Sequence, residues 1–408
     1  MIEVVILKRF LYSCIRIDNT MVLKVVLSIA FIFHFMLNIT RPLVTLYAAK
    51  MGANTFDIGI LTAIYAFFPL IFAIHAGKIT DRIGDRLPIL FGMITASVGL
   101  ILPYLFQTMW ALYASQIIVG MAHIFIIISL QNVLGNAATR QNRDQYFGIF
   151  STVVALAQFL GPVVGGYITE STSYTIAFLI SASFGIIAII ISFWIPIIIK
   201  NSTSASSLPP TSTLSLLKMP VLRRALGGSA LVLYSRDIFV AYFPLYATKL
   251  AMSDSSIGWI IAMQGLAMVP VRFFLVTLSK RIGRARLLLI SVLIAGLSYF
   301  IIPFTQNVPI LVLLAIIMGA GLGCGQPLSM TTSYNASPRG KTGEVLGLRL
   351  ATNRISQIIA PLLFGGIGSG LGLISVFLFS GIFLVGGAFL TYTKEEVEIP
   401  ISRIENNG

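Results

Sequence analysis

The stretch LYAAKMGANTFDIG, residues 46–59, returns as LYATKLAMSDSSIG at residues 245–258. The same step of 199 positions, from Leu46 to Leu245, carries further segments of the first half of the chain onto the second. One register held over five segments is not chance, and it predicts two similar halves that face each other. The other matches are Arg82-Ile83-Gly84 with Arg281-Ile282-Gly283, Asn136-Ala137 with Asn335-Ala336, and Gly148, Gln158, Pro162 and Gly166 with Gly347, Gln357, Pro361 and Gly365.

The composition is that of a membrane protein. Hydrophobic residues make up 57% of the 408 positions, charged residues make up 10%, and the mean hydropathy is +0.92. A soluble globule of this size needs more polar surface than such a chain supplies. Charge-free runs at residues 87–139 and 287–338 are each long enough for two spans of about 20 residues joined by a short turn. The alternating polarity typical of a membrane β-barrel is missing from the sequence.

Hydropathy predicts an all-α membrane protein whose twelve transmembrane helices form two pseudo-symmetric six-helix bundles. The first bundle covers residues 22–199, the second covers residues 222–392, and a linker at residues 200–221 joins them. The linker holds the polar run NSTSASSLPPTST, and residues 1–21 and 393–408 are the two tails. The predicted spans, numbered 1 to 12, are residues 22–48, 56–77, 87–106, 109–134, 145–168, 173–199, 222–248, 256–278, 287–305, 309–334, 342–368 and 371–392.

The 28 Lys and Arg residues predict how the spans are oriented. Basic residues near span ends prefer the cytoplasmic side, and with a cytoplasmic N-terminus only Lys50 and Lys249 fall in loops on the far side. Both termini, both tails and the linker are therefore predicted to be cytoplasmic. Since the formal net charge of +14 follows from this topology, no nucleic acid is expected as a partner.

Neither a metal nor a cofactor is expected. Cys14 and Cys324 are too few and too far apart for a disulfide framework or a metal site. His34, His75 and His123 stand singly in predicted spans, where a histidine is more often a helix contact than a ligand. The sequence contains no hydrolase or nucleotide-binding motif, so the chain is not expected to be an enzyme.

The segment GKITDRIGDR, residues 77–86, lies in the predicted cytoplasmic loop between spans 2 and 3. It resembles the loop signature of the major facilitator superfamily, which implies a latch that closes the cytoplasmic side in one conformation. A short inner loop also needs glycine and basic charge for topology alone, which is the competing interpretation. Asp85 stands where the family usually has a base, and the second copy has Lys280 in place of the acid, so the first copy is expected to carry the switch. The residues that match the signature are Gly77, Asp81, Arg82, Gly84 and Arg86.

A phrase of small residues in span 5 resembles the antiporter signature of drug and metabolite exporters in the same superfamily. Glycine at such spacing makes a smooth helix face for close contact, and proline permits a bend. The resemblance implies export, whereas ordinary small-residue packing would explain the glycines without it. Span 11 keeps only part of the phrase, and Ala157 takes the place of one glycine in span 5. The matching residues are Gly148, Gly161, Pro162, Gly165 and Gly166.

Span 4 departs from the resemblance. Related exporters carry an arginine there that is implicated in proton coupling, but Gln116 stands in its place in this chain. Coupling must therefore use other groups, or the protein is not a conventional proton antiporter.

Asp237, in span 7, is the one acidic residue placed well inside a predicted span. A charge at the bilayer centre costs about 3 kcal/mol on insertion scales, so a retained one usually faces a cavity or another charge. Its repeat mate is Asn38 of span 1. Asp237 is predicted to be the protonatable coupling group, with a structural ion pair to a nearby arginine as the equally weighted alternative.

The remaining polar residues within the spans are candidates for a substrate cavity. Arg354 and Gln357 are three apart and share one helix face, and Gln158 is the repeat mate of Gln357. An interior with several arginines and a single acid favours a substrate with an anionic or carboxylate part. The same side chains would alternatively tie helices together. The candidates are Asn38, Arg41, Gln116, Gln158, Arg236, Arg272, Arg354 and Gln357.

The resemblance implies two bundles that rock around a central cavity, lined chiefly by spans 1, 4, 7 and 10, with spans 5, 8 and 11 along the seam. It implies a monomeric secondary-active exporter of a small drug-like or metabolite molecule, coupled to protons or another ion and embedded in the lipid bilayer of a bacterial plasma membrane. The alternatives are an uptake or facilitative transporter and, from another class, a transport-inactive membrane scaffold or sensor.

Overall fold

The computed structural model describes residues 19–138, 143–195, 219–335 and 342–391. Every regular element in these residues is helical. Most of the predicted N-terminal tail and linker and all of the predicted C-terminal tail lie outside the described residues, but the first helix begins at residue 19, within the predicted tail, and the seventh at residue 220, within the predicted linker. The helices are α1 (Asn19–Lys50), α2 (Thr55–Ile83), α3 (Arg86–Leu105), α4 (Met109–Ala137), α5 (Arg143–Ser171), α6 (Tyr174–Ser192), α7 (Pro220–Lys249), α8 (Asp254–Phe273), α9 (Leu275–Ile282), α10 (Arg284–Ile301), α11 (Val308–Gly323), α12 (Gly325–Asn335), α13 (Thr342–Leu371) and α14 (Leu373–Thr391), with a 3-10 turn at Ile302–Phe304.

The predicted spans coincide with these helices, with two breaks that hydropathy did not indicate. Span 8 is divided at Phe274 into α8 and α9, one turn after Pro270. Span 10 is divided at Cys324 into α11 and α12, where Gly321, Gly323 and Gly325 lower the helix propensity. Span 6 was predicted to reach residue 199, but α6 ends at Ser192, shortly before Pro196.

Nine stretches among the described residues are long and apolar enough to cross a membrane. They lie in α1 to α6, in α8, in α10 with its 3-10 turn, and in α11 with the start of α12. The helices α7 and α13 have 30 residues each but carry internal charges such as Asp237 and Arg354. The apolar part of α14, Leu373–Phe389, is shorter than the others. Crossing of the membrane by these three helices stays a prediction.

The predicted loop at residues 77–86 is mostly helix. α2 continues to Ile83, and only Gly84 and Asp85 separate it from α3. Gly84 ends α2 because it adopts a φ of +82°, a conformation that favours glycine, and its N–H donates to the Thr80 carbonyl. Gly283, its repeat mate, ends α9 in the same way, with a φ of +85° and a bond to the Ser279 carbonyl. The repeated glycine is thus the turn between two helices in both halves.

Each half packs around its own first helix, and the halves meet along two equivalent seams. In the first half α1 packs on α4, α5 and α6, and in the second α7 packs on α12, α13 and α14. α5 packs against α8 at one seam and α2 against α13 at the other, while α1 touches α7 between them. The resemblance implied a seam of spans 5, 8 and 11, and the structure adds α2 as its fourth member.

Glycines let the helices approach closely at both seams. A methyl group on Gly258 would overlap the Pro162 carbonyl oxygen, and one on Gly59 would overlap that of Pro361. These two pairs are related by the repeat register. They lie toward the end of the bundle that carries the α1–α2 and α5–α6 loops, which we call the predicted outer end. Close backbone contact through small residues is the usual way in which membrane helices associate.

Candidate functional site

Two small cavities lie between the halves, and both are bordered by Arg41 and Val240. The volume open to the centres of water molecules is about 40 Å³ in the first and about 10 Å³ in the second, so the first has room for a few water molecules and the second for about one. The first, the acid cavity, is lined by Arg41, Val44, Thr45, Leu61, Thr62, Tyr65, Ala66, Gln116, Asp237, Val240, Ala241 and Gln357. The second, the basic cavity, is lined by Asn38, Arg41, Pro42, Gln158, Pro162, Arg236, Val240, Ile261, Gln264 and Gly265.

Asp237 is the centre of a polar network in the acid cavity. Its Oδ1 lies 3.5 Å from Nη1 of Arg41, and its Oδ2 accepts a hydrogen bond of 2.7 Å from Nε2 of Gln357. The Asp237 side chain is 7% exposed and that of Arg41 is 27% exposed. Arg41 belongs to α1 of the first half and Asp237 to α7 of the second. The ion pair therefore connects the two halves in the interior, where low dielectric strengthens it.

Arg354 supports this network from outside the cavity. Its Nη1 donates a hydrogen bond of 3.0 Å to Oε1 of Gln357. The Gln357 amide therefore accepts with its oxygen and donates with its nitrogen, which fixes its orientation toward Asp237.

On the other side, the network continues from Arg41 to an aromatic and imidazole pair. The Arg41 guanidinium lies 5.1 Å from the centre of the Tyr65 ring, a cation–π contact. Tyr65 Oη and His123 Nδ1 are 2.9 Å apart, and the rings of His123 and His34 are 6.1 Å apart. A chain of polar groups thus joins α13, α7, α1, α2 and α4.

The basic cavity has donors without acceptors. Gln264 is 1% exposed, and its buried Nε2 has no hydrogen-bonding partner in the part of the chain that the structure describes. In the same part of the chain, neither the Arg236 guanidinium nor the Gln158 amide makes a hydrogen bond or an ion pair. The Asn38 amide nitrogen donates to the His34 carbonyl over 2.6 Å.

The structure brings most of the predicted site residues together. Arg354 lines neither cavity but orients Gln357. Arg272 lies at the end of α8, and its buried Nε has no hydrogen-bonding partner among the described residues, so it is not part of this cluster. The predicted site residues that line one or both cavities are Asn38, Arg41, Gln116, Gln158, Arg236, Asp237 and Gln357.

The lining helices differ from those that the resemblance implied. Spans 1, 4 and 7 contribute, but so do α2, α5, α8 and α13, and no described residue of span 10 borders either cavity. Gly319 of α11 packs directly on the backbone of Gln264, which places α11 behind α8. Sequence reasoning also missed Tyr65 and Gln264. The repeat register relates these two residues, and this was the signal that would have found them.

The glycines of the span 5 phrase have two different neighbours. A methyl group on Gly161 or Gly165 would press on the backbone of α1 at Ile39, and one on Gly166 would press on the start of α8 at Asp254. Gly148 is exposed and has open space around it among the described residues.

The predicted latch is described only in part. Gly77, Asp81 and Arg82 lie in the last turns of α2, and the side chains of Asp81 and Arg82 lie outside the described part of the chain. The Arg86 guanidinium lies 5.5 Å from the centre of the Phe193 ring. Asp85 is buried and accepts a hydrogen bond of 3.3 Å from Asn132.

Known proteins resemble this chain over most of its length. The family model described as Major Facilitator Superfamily matches residues 26–233 and again residues 225–405. The tetracycline resistance protein, class H, of Pasteurella multocida is 24% identical over 345 residues, which are 81% of this chain and 83% of that protein. The quinolone resistance protein NorA of Staphylococcus aureus is 22% identical over 342 residues, 83% of this chain and 87% of that protein. The solved structure of the nucleoside transporter NupG superposes with a TM-score of 0.77 at 13% identity, over 91% of this chain and 98% of that one, a likeness of fold alone.

Proposed function

This chain belongs to the Major Facilitator Superfamily and is a multi-pass membrane transporter rather than an enzyme, and we propose that it exports a small drug-like or metabolite molecule in exchange for protons. The observation that carries the proposal is the Asp237 carboxylate, bonded within the cavity to Arg41 of the other half. Transport proceeds by alternating access, in which the two halves rock around the cavities between them.

Proton coupling is assigned to Asp237 because its charge ties the halves together. A proton on the carboxylate removes the negative charge that Arg41 faces across 3.5 Å. The ion pair between α1 and α7 is then lost. The hydrogen bond from Gln357 joins two helices of the second half, so it does not hold the halves together. Protonation thus changes the balance between conformations, which is what a coupling ion must do to drive a transport cycle.

Tyr65 and His123 are proposed as the path by which protons reach Asp237. Gln116 stands where related exporters have an arginine, so α4 lacks the usual base at that position. His123 lies two turns further along α4, where its ring nitrogen contacts Tyr65 at the edge of the acid cavity. Imidazole can shuttle a proton because one ring nitrogen accepts while the other donates. We assign His123 and Tyr65 to the path between Asp237 and water.

The direction of transport is proposed from two independent features. The relatives named for tetracycline and quinolone resistance align with more than four fifths of the chain, and resistance of this kind is what export of an antibiotic would produce. The span 5 phrase resembles the signature of exporters, and its glycines Gly161, Gly165 and Gly166 lie where α5 contacts α1 and α8. Sliding or rocking at these contacts needs a smooth surface, which glycine provides.

We propose that the loop signature acts as a latch, as its sequence predicts. Asp85, which departs from the signature, accepts a hydrogen bond from Asn132 of α4, and this contact fastens the α2–α3 turn to α4 within the first half. The contribution of Asp81 and Arg82 to closing the cytoplasmic side stays a prediction.

Flux in everted membrane vesicles tests the function. Norfloxacin and tetracycline serve as first probes, because relatives are named for resistance to quinolones and tetracycline. Accumulation driven by an inside-acid gradient, and abolished when nigericin collapses that gradient, is the expected result. Vesicles from cells without the gene are the control.

The other outcomes separate the alternatives. Equilibration of a probe without any gradient would identify a facilitative transporter, and gradient-driven movement in the opposite direction would identify uptake. Binding of probes by purified protein with no flux in liposomes would identify a scaffold or sensor.

A further inference from the structure

The acid and basic cavities are equivalent positions of the duplicated fold. The step of 199 residues carries Asn38 onto Asp237, Gln158 onto Gln357 and Tyr65 onto Gln264. The same step carries Arg41 onto Val240, and these two residues border both cavities. The two cavities are therefore built from equivalent helix positions. The positions that the first half contributes to one cavity are contributed by the second half to the other.

The charges at these equivalent positions are different. In the acid cavity the Asp237 carboxylate is matched by the Arg41 guanidinium, so the pair is neutral. In the basic cavity Asn38 stands where the acid would be, and Arg236 adds a positive charge where its repeat mate is Leu37. The basic cavity thus holds a guanidinium without a carboxylate among the described residues.

The donors of the basic cavity match those that bind a carboxylate in its counterpart. In the acid cavity the amide of Gln357 donates to Asp237 over 2.7 Å. Gln158 holds the equivalent position, but Asn38 offers it no carboxylate. The Nε2 of Gln264 is buried without an acceptor, and such a group costs about 1–3 kcal/mol unless something pairs with it. Two amides and one guanidinium therefore line a cavity in which Asn38 stands at the repeat position of the Asp237 carboxylate.

We propose that the basic cavity binds a carboxylate group of the transported molecule, with Arg236 as its ionic partner and Gln264 and Gln158 as hydrogen-bond donors. Guanidinium binds a carboxylate through two parallel N–H bonds, which gives both charge and orientation. This site deepens the proposed function and rests on it, since it names the chemical class of the substrate.

The placement of the site fits a transport cycle. Gln158 and Asn38 belong to the first half, and Arg236 and Gln264 belong to the second. An anion held by all of them bridges the halves, as Asp237 does in the acid cavity. The cavity is too small here for more than a water-sized group, so the carboxylate enters when the halves separate.

Equilibrium binding to the purified full chain tests this without any need for flux. The probes are benzoate and salicylate, each compared with its uncharged methyl ester or amide by calorimetry in detergent. We expect at least one acid to bind more tightly than its uncharged counterpart. Arg236→Gln should then weaken binding of that acid roughly 10- to 100-fold and leave the uncharged probe unchanged. Arg272→Gln, an arginine of the same half outside both cavities, is the matched control.

A second variant tests the site without removing Arg236. Asn38→Asp places a protein carboxylate at the position that Asp237 occupies in the other cavity. We expect the new carboxylate to occupy the basic cavity. The variant should then bind each acid no more tightly than its uncharged counterpart. The proposal is overturned if no acid binds better than its ester or amide, or if Arg236→Gln binds the acid as tightly as the unaltered protein.

These outcomes are separable from failure of the proposed function. If the acids bind through Arg236 but no gradient drives their movement, the carboxylate site stands and the exporter does not. If export of a probe occurs with equal rates for acid and ester, the exporter stands and the carboxylate site does not.

Discussion

The two buried polar centres of this protein behave differently because one is satisfied and the other is not. Asp237 accepts from Gln357 and pairs with Arg41, so its charge has partners on both sides. Gln264 is almost fully buried, and its amide nitrogen has no partner among the described residues. A satisfied buried group holds helices together, whereas an unsatisfied one lowers stability and is usually retained for a function.

Asp237→Asn is expected to abolish gradient-driven transport and to leave the fold intact. Asparagine has the same shape and can still accept from Gln357, but it cannot take a proton. Loss of the pair leaves Arg41 without its counter-ion in the interior, so the thermal unfolding midpoint is expected to fall although the fold is kept. Transport is measured in everted vesicles with an imposed pH gradient, and folding is measured by thermal unfolding of the purified protein. Asp57→Asn, which alters an acid that accepts a hydrogen bond from the Asn54 N–H at the start of α2, is the control. Unchanged gradient-driven transport would remove Asp237 as the coupling group.

Gln264→Met is expected to stabilise the protein by about 1–2 kcal/mol, because it removes a buried donor without an acceptor and keeps the side-chain volume. Gln357→Met, its matched control, should destabilise, since it takes away the donor to Asp237. Both are measured as shifts of the thermal unfolding midpoint in the same detergent. A less stable Gln264→Met protein would show that the amide has a structural partner.

At the scale of helices, the seams depend on glycines whose positions are specified by their neighbours rather than by the helix that contains them. Gly258 of α8 lies against the Pro162 carbonyl of α5, and Gly59 of α2 lies against that of Pro361 in α13. Gly366, next to Gly365 in α13, has open space around it among the described residues. A glycine at a seam and a glycine away from it therefore have different roles.

Gly258→Ala is expected to destabilise the protein although alanine is the better helix former. The added methyl group would overlap backbone atoms of Pro162, so α5 and α8 must move apart. Gly366→Ala meets no such obstacle and should stabilise by up to about 1 kcal/mol through helix propensity. Thermal unfolding of the two variants, with the rate of probe transport beside it, measures the difference. Equal effects of the two substitutions would contradict close packing at the α5–α8 seam.

For the whole molecule, the predicted outer end is closed by contacts between the halves. Glu170 of α5 accepts a hydrogen bond of 3.0 Å from the Ser255 N–H at the start of α8, and Tyr174 donates to Asp254 over 3.2 Å. The indole N–H of Trp259 donates to Tyr167 over 3.2 Å. Alternating access requires that these contacts break once in every cycle.

A disulfide between cysteines at positions 170 and 255 is expected to form readily and to stop transport. The substitutions Glu170→Cys and Ser255→Cys are made together in a background with Cys14→Ser and Cys324→Ala, so that no other thiol reacts. Reduction should restore transport, and Glu170→Cys alone should be insensitive to oxidant. Full transport by the cross-linked protein would mean that this seam does not open during the cycle.

Several features of the site were predictable because they are local or repetitive. Asp237 stood out as the only acid well inside a span, and Asn38 and Gln158 followed from the repeat register. The partner of Asp237 was not predictable, because Arg236 is its neighbour in the chain but points to the other cavity, and Arg41 reaches it across the halves. Arg272 was grouped with the site by hydropathy depth alone, yet it lies outside both cavities.

The sequence by itself determined that this protein is a duplicated bundle of membrane helices, because hydropathy and a constant register of 199 residues are properties of the chain alone. The tertiary structure decided how the polar residues divide into two equivalent cavities, one neutral and one basic. That division depends on which helices of opposite halves touch. Contacts between residues about two hundred positions apart are set by the packing of glycine seams in three dimensions, which no one-dimensional pattern specifies.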